Sequence, residues 1–284
     1  MLKKLIISLM FILFANTAMA DRIEILTTST LKGPQGTVIN AVIDVTKNNS
    51  LTMIPAQKSS CGEAVNIFNN AKGPIAIVWS DNMYKHTATT KQNCIINFKN
   101  AVAVAVTYAP YEVCVLPGTT LRANASYKFG NNKFNPQEYQ LRLINTNKQG
   151  MKFTNVTYSG SGPTLQGLIN KEIDVALIAT GNASAAIKKG SIKCLYTTGS
   201  TKYGQKPLSE LYGVKHPLSE YRLGMMVFVK NFSSSQLAEL EQSLAKGNIV
   251  NKLENLDMTE SKIELKIADI SAYVRTAKDK VKYK

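Results

Sequence analysis

Between Val156 and Gly181 the chain reads VTYSGSGPTLQGLINKEIDVALIATG. The stretch Ser159-Gly160-Ser161-Gly162-Pro163-Thr164 combines three hydroxyls with two glycines directly ahead of a helical pattern. N–H groups at a helix N-terminus converge on negative charge, and glycine lets a ligand come close to the backbone. The chemistry on offer is anion binding by neutral donors. Gly160 is expected to supply that close approach or a positive φ. The alternative is a tight strand-to-helix turn in which Ser161 or Thr164 caps the helix. Catalytic glycine loops do not fit. Gly162 and Gly167 have phosphate-loop spacing, but Leu168 stands where Lys is required. Counted from Gly160, a dinucleotide fingerprint needs a third glycine where Leu165 stands.

Other reactive residues are sparse. His86 and His216 are the two histidines, and neither has metal-ligand spacing or a triad around it. No G-x-S-x-G elbow occurs. With 19 acidic residues against 34 basic ones, paired-carboxylate chemistry has little to draw on. A nucleophile beside a base is what a hydrolase or transferase would need, so the expectation is a protein that is not an enzyme and uses no cofactor or metal. Cys61, Cys94, Cys114 and Cys194 lack the close pairs that zinc requires. Their even number favours two disulfides in an oxidising compartment, with three pairings possible.

The chain opens MLKK, runs apolar from Leu5 to Phe14, and reaches Ala18-Met19-Ala20 before Asp21. A charged start, a short apolar run and an A-x-A site make residues 1–20 a cleaved signal peptide, too short in its apolar part to span a bilayer. The expected fate is export across the inner membrane. A formal net charge of +15 is compatible with an anionic ligand. No basic helix with interleaved aromatics points to a nucleic-acid partner.

The elements that must position the loop alternate. RIEILTT from Arg22, PIAIVWS from Pro74, AVAVAVTY from Ala101 and YEVCVL from Tyr111 read as strands. Val38, Ile39, Val42 and Ile43 recur at helical spacing, and helices are expected near 61–70, 136–147, 183–189, from 234 and from 269. Alternation of this kind makes an α/β chain with mostly parallel sheets, whose ligands bind past the carboxyl ends of strands.

Val156-Thr157-Tyr158-Ser159-Gly160-Ser161-Gly162-Pro163, followed by Leu165, Leu168, Asp174 and Val175, resembles the substrate-binding proteins of tripartite tricarboxylate transporters (TctC/Bug-like). In that family the segment runs roughly "vpYkGsgpaltdLlgGqvD". Ile187 to Leu195 is similar to its "ikaGklraLA", and Leu208 to Gly213 sits where it has "PTlaEaG". The resemblance covers about 154–213. The first turn departs from the family's "GGstD", offering Lys32-Gly33-Pro34-Gln35-Gly36. The second departs from "G-x-G-S", with Phe129-Gly130-Asn131-Asn132.

The resemblance implies a two-lobed type II periplasmic binding fold with a ligand cleft between the lobes. Such a monomer captures a small anion, commonly a carboxylate, for integral membrane permease subunits. A binding protein of an ABC-type importer or of a sensor is the alternative. Lobe one is expected over 21–110 plus 215–284 and lobe two over 111–214, with crossings near Ala109-Pro110 and within 202–217. Because a cross-lobe bond would restrain closure, the pairs become Cys61–Cys94 and Cys114–Cys194. The cleft is expected to use Thr30, Gln35, Gly36, Thr37, Ser80 and Asp81 from lobe one. From lobe two it takes Asn131, Asn132, Ser159, Gly160, Ser161 and Thr180, with Tyr158 as wall or core.

Overall fold

Four strands are buried at every position: β3 (Ile75–Ser80), β5 (Tyr111–Val115), β8 (Val175–Ala179) and β11 (Leu223–Lys230). Continuous apolar runs such as IAIVWS and VALIA suit strands covered on both faces. The structure, a computed structural model, describes residues 21–28, 31, 33–47, 50–80, 93–132, 150–213, 222–255 and 259–262. The signal peptide, Thr30, Asp81, both histidines and the helices expected near 136–147 and from 269 lie outside these residues.

The α/β fold is two-lobed and built on two six-stranded sheets. The first has the order β12-β4-β11-β3-β1-β2, where β1 is Asp21–Thr27, β2 Leu51–Gln57, β4 Ala101–Ala109, β11 Leu223–Lys230 and β12 Thr259–Lys262. The second has the order β10-β9-β5-β8-β6-β7, where β5 is Tyr111–Val115, β6 Ser126–Asn132, β7 Lys152–Tyr158, β9 Lys193–Thr197 and β10 Lys206–Pro207. Pro110 alone separates β4 in one sheet from β5 in the other.

Both sheets are mixed rather than mostly parallel. β1 runs parallel to β2 and β3, and β6 parallel to β7 and β8. β11 is antiparallel to β3 and β4, and β5 is antiparallel to β8 and β9. The edge strand β12 is antiparallel to β4 as well; β5 and β11 are the strands by which the chain enters the second sheet and returns to the first. They arrive from the neighbouring sheet instead of through a βαβ crossover, so the rule that makes crossovers parallel does not act on them.

Helices α1 (Pro34–Thr46), α6 (Ser234–Lys246) and α7 (Ile249–Asn255) cover one face of the first sheet. Val38, Ile39, Val42, Leu240, Leu244 and Leu253 form the apolar stripe they bury. Helix α2 (Cys61–Asn70) covers the other face with Ala64, Val65 and Phe68, against Trp79 and Phe228. The Lys230 ammonium donates to the carbonyls of Phe68 (3.2 Å) and Asn69, closing the C-terminus of α2. Burial, then the nearby Lys72 charge, lowers its pKa.

On the second sheet, α3 (Ser161–Ile169) and α4 (Thr180–Lys188) bury Leu168, Ala183 and Ala186 on one face. The opposite face, with Val113, Phe129 and Leu177, joins the main core together with α5 (Leu208–Tyr212). The disulfides are Cys61–Cys94 and Cys114–Cys194, as expected. The first ties α2 to the segment before β4, and the second joins the paired strands β5 and β9. Among the described residues no helix is long and apolar enough to cross a membrane.

Candidate functional site

Two strand-to-helix turns, one from each sheet, meet across a cavity of about 240 Å³. The first follows β1 and starts α1, with Gly33 as N-cap and Pro34 in the first helical turn. The second follows β7 and starts α3, with Gly160 as N-cap. Neither helix has a side-chain cap, so first-turn N–H groups remain for a ligand.

The turns share one device. Thr37 and Thr164 each stand four residues after the N-cap glycine, giving G-x-x-x-T twice. The Thr37 hydroxyl donates to the Gly33 carbonyl at 3.2 Å, and the Thr164 hydroxyl to the Gly160 carbonyl at 2.9 Å. The backbone N–H of each threonine bonds to the same carbonyl, at 2.9 and 3.0 Å. These threonines therefore tighten the turns, and their hydroxyls face the chain.

Of the expected residues, Gln35, Asn132, Ser159, Gly160 and Ser161 line the cavity. Gln35 is held from both sides: the Thr27 hydroxyl donates to its Oε1 at 3.0 Å, and its Nε2 donates to Ser80 Oγ at 2.9 Å. Ser80 thus takes its place as a buried support for Gln35, outside the lining. Gly36 lies behind the turn. A Cβ there would fall 2.3 Å from the carbonyl carbon of Leu31, so glycine lets the turn fold back on the helix.

Asn131 is buried beside Asn132, and its side-chain nitrogen has no partner among the described residues. Thr180 is buried away from the lining and donates to Glu112 at 2.8 Å. Tyr158 packs over Gly167 and Gly130 and donates to Glu172 at 3.1 Å, a place in the core against α3. Burial first, and Glu172 second, raise its pKa.

Gly160 departs from expectation in one respect. Its φ is 170°, extended backbone open to any residue, and among the described residues a Cβ there would have nothing within 4 Å. Gly162 is equally open. The glycines leave space for a ligand and relieve no strain. Ser161 Oγ accepts the buried N–H of Ala179 at 3.2 Å, which leaves its own O–H to donate. Ser161→Ala is expected to lower stability by about 1 kcal/mol and ligand affinity by roughly 0.5–1.5 kcal/mol. Thermal melts and calorimetric titration read the two effects separately.

The lining also contains Thr28, Gln57, Tyr111 and Leu223, which sequence reasoning missed. Gln57 closes β2 opposite Thr27, so the rule about carboxyl ends applied to β2 would have found it. Tyr111 and Leu223 begin the two strands that enter and return between sheets, a position no local pattern marks. No Lys, Arg, Asp, Glu or His occurs among the described lining residues. The site therefore offers backbone N–H groups, hydroxyls and amides, a donor set for an anion held by many neutral hydrogen bonds.

No protein-family model and no curated protein matches the chain. Solved structures do match. The periplasmic binding protein BugD aligns with a TM-score of 0.68 at 13% identity, over 92% of this chain and 94% of its own. MatC from Rhodopseudomonas palustris, solved with bound malate, aligns at 0.65 and 16%, over 92% and 96%. A second R. palustris protein, solved with adipate, aligns at 0.71 and 12%, over 90% and 93%. At these identities the likeness establishes the fold, that of the TctC- and Bug-type periplasmic binding proteins.

Proposed function

We propose that the chain is an extracytoplasmic solute-binding protein that captures a small carboxylate between its lobes. It hands the solute to membrane permease subunits of the tripartite tricarboxylate type. The observation that carries this reading is the pair of G-x-x-x-T turns, uncapped by side chains and facing each other across the cavity. Each helix N-terminus favours negative charge by about 0.3–1 kcal/mol, more where partly buried. Bound malate and adipate in proteins of the same fold support a carboxylate. Two disulfides suit an oxidising compartment and so a periplasmic location.

Lobe one comprises 21–110 and 215–284 in this reading, and lobe two 111–214. The chain passes between them at Pro110 and again after α5, and the two passages act as a hinge. Closure brings the two turns onto the ligand and removes water from both, which strengthens each hydrogen bond. Ser159, Gly160, Ser161 and Asn132 hold it from lobe two, and Gln35 with the α1 N-terminus from lobe one. Thr30 and Asp81 remain candidates on the lobe-one side. The test is a crystal structure of the mature chain with a carboxylate that stabilises it. The carboxylate is expected between the N–H groups of α1 and α3, and a carboxylate bound elsewhere would overturn the assignment.

A further inference from the structure

Glu112 stands second in β5, two residues past Pro110, and is 1% exposed. Its Oε1 accepts from the hydroxyls of Thr180 (2.8 Å) and Thr197 (3.0 Å), and its Oε2 accepts from Gln205 Nε2 (3.0 Å). The donors come from the first residue of α4, the end of β9 and the turn before β10. All three are buried.

Each donor in turn fixes backbone. Thr197 Oγ1 accepts from Gly199 N at 3.0 Å, Gln205 Oε1 accepts from Tyr203 N at 2.8 Å, and Thr180 N donates to the Pro110 carbonyl at 2.9 Å. Tyr111 and Thr198 bond in both directions: Tyr111 N donates to Thr198 Oγ1 at 2.8 Å, and Thr198 N to the Tyr111 carbonyl at 2.9 Å. A Cβ on Gly199 would fall 2.6 Å from Pro110 Cβ, so 197–205 lies directly on the residues of the first crossing.

We propose that Glu112 is a positioning residue of the hinge: its buried carboxylate fastens segment 197–205, which leads to the second crossing, onto residues 110–112 of the first. An ionised carboxylate only accepts, so it is the group on which three neutral donors can converge together. Without it the buried Thr197 hydroxyl and Gln205 amide lose this acceptor, the Thr180 hydroxyl keeps the Pro110 carbonyl at 3.1 Å, and the two crossings lose their common anchor. The consequence reaches the cleft by two routes. Tyr111, adjacent in sequence, lines the cavity, and Ala179, adjacent to Thr180, donates to Ser161 of the anion-binding turn. The inference rests on the two crossings proposed above. Its test uses no ligand, so it can fail while carboxylate binding stands, and the reverse.

The test is a reciprocal exchange, read at pH 8 by hydrogen exchange with mass spectrometry on the mature chain. Q205E sets a second carboxylate against Glu112. E112Q/Q205E restores one donor and one acceptor, with the amide oxygen at 112 still able to take both threonine hydroxyls. Exchange over 199–205 is expected to rise about tenfold or more in Q205E, and to return to within about threefold of wild type in the double variant, while β7 is unchanged in both. If Q205E does not fold, a folded double variant is the same rescue. Unchanged exchange in Q205E, or a double variant no nearer to wild type, overturns the proposal.

Discussion

Gly160→Val is expected to leave the fold intact and to weaken ligand binding by about a hundredfold or more. The backbone at Gly160 has φ 170°, which valine adopts without strain, and a Cβ would meet nothing within 4 Å among the described residues. That empty space is the cavity lined by Ser159, Gly160, Ser161 and Gly162. Two methyl groups there stand where a carboxylate must approach the N–H groups of α3, and they shield those groups from it. Loss of the α3 half of the donor set is expected to weaken binding by more than about 2.7 kcal/mol, or a hundredfold. Calorimetric titration of a carboxylate that binds wild type measures this, with circular dichroism reporting the fold. Gly36→Ala is the contrasting change. Its Cβ would overlap the Leu31 backbone at 2.3 Å, so the damage falls on the turn and on stability. Wild-type affinity in Gly160→Val would show that the loop is only a turn.

Replacing Cys114 and Cys194 together by alanine is expected to give the largest loss of stability. The bond spans a sequence separation of 80, against 33 for Cys61–Cys94. Constraint of the unfolded chain over such a loop is worth about 4.5 kcal/mol on the chain-entropy account. Both sulfurs are buried between β5 and β9, so alanine adds lost packing. A fall in Tm of roughly 9–18 °C follows from about 2–4 °C per kcal/mol for a chain of this size. Differential scanning calorimetry checks it. A fall no larger than that of the Cys61/Cys94 pair would contradict the ranking.

Much of this molecule is legible in its sequence, for physical reasons that differ by element. IAIVWS and VALIA announce β3 and β8 because a strand covered on both faces reads as a near-continuous apolar run. The apolar spacing of Val38, Ile39 and Val42 marks α1 because one helix face must be buried. The direction of β5 and β11 is not legible, since side-chain alternation is the same for parallel and antiparallel pairing.

The cleft divides in the same way. Ser159 to Ser161 could be found because glycine and serine before a helix have a local meaning. Its counterpart at Gly33 to Thr37 lacks a serine and its helix begins with Pro34, so the shared G-x-x-x-T pattern shows only when both turns are seen to face one cavity. The roles of Thr37, Ser80 and Thr180 as internal partners could not be read, because a hydroxyl's partner is chosen by tertiary contact. Glu112 in YEVCV looks like the solvent-facing position of an alternating strand, yet it is buried by donors that arrive from residues 180, 197 and 205.

The central claim is that the cleft binds an anionic carboxylate, and a thermal-shift screen of the mature chain against small mono-, di- and tricarboxylates and their neutral methyl esters tests it most directly. A ligand at a hundred times its Kd adds about 2.7 kcal/mol, which corresponds to a rise of roughly 5–10 °C for a chain of this size. The account predicts that at least one carboxylate raises Tm by that amount while its ester does not. Silence across all the carboxylates, or equal stabilisation by the ester, would contradict it.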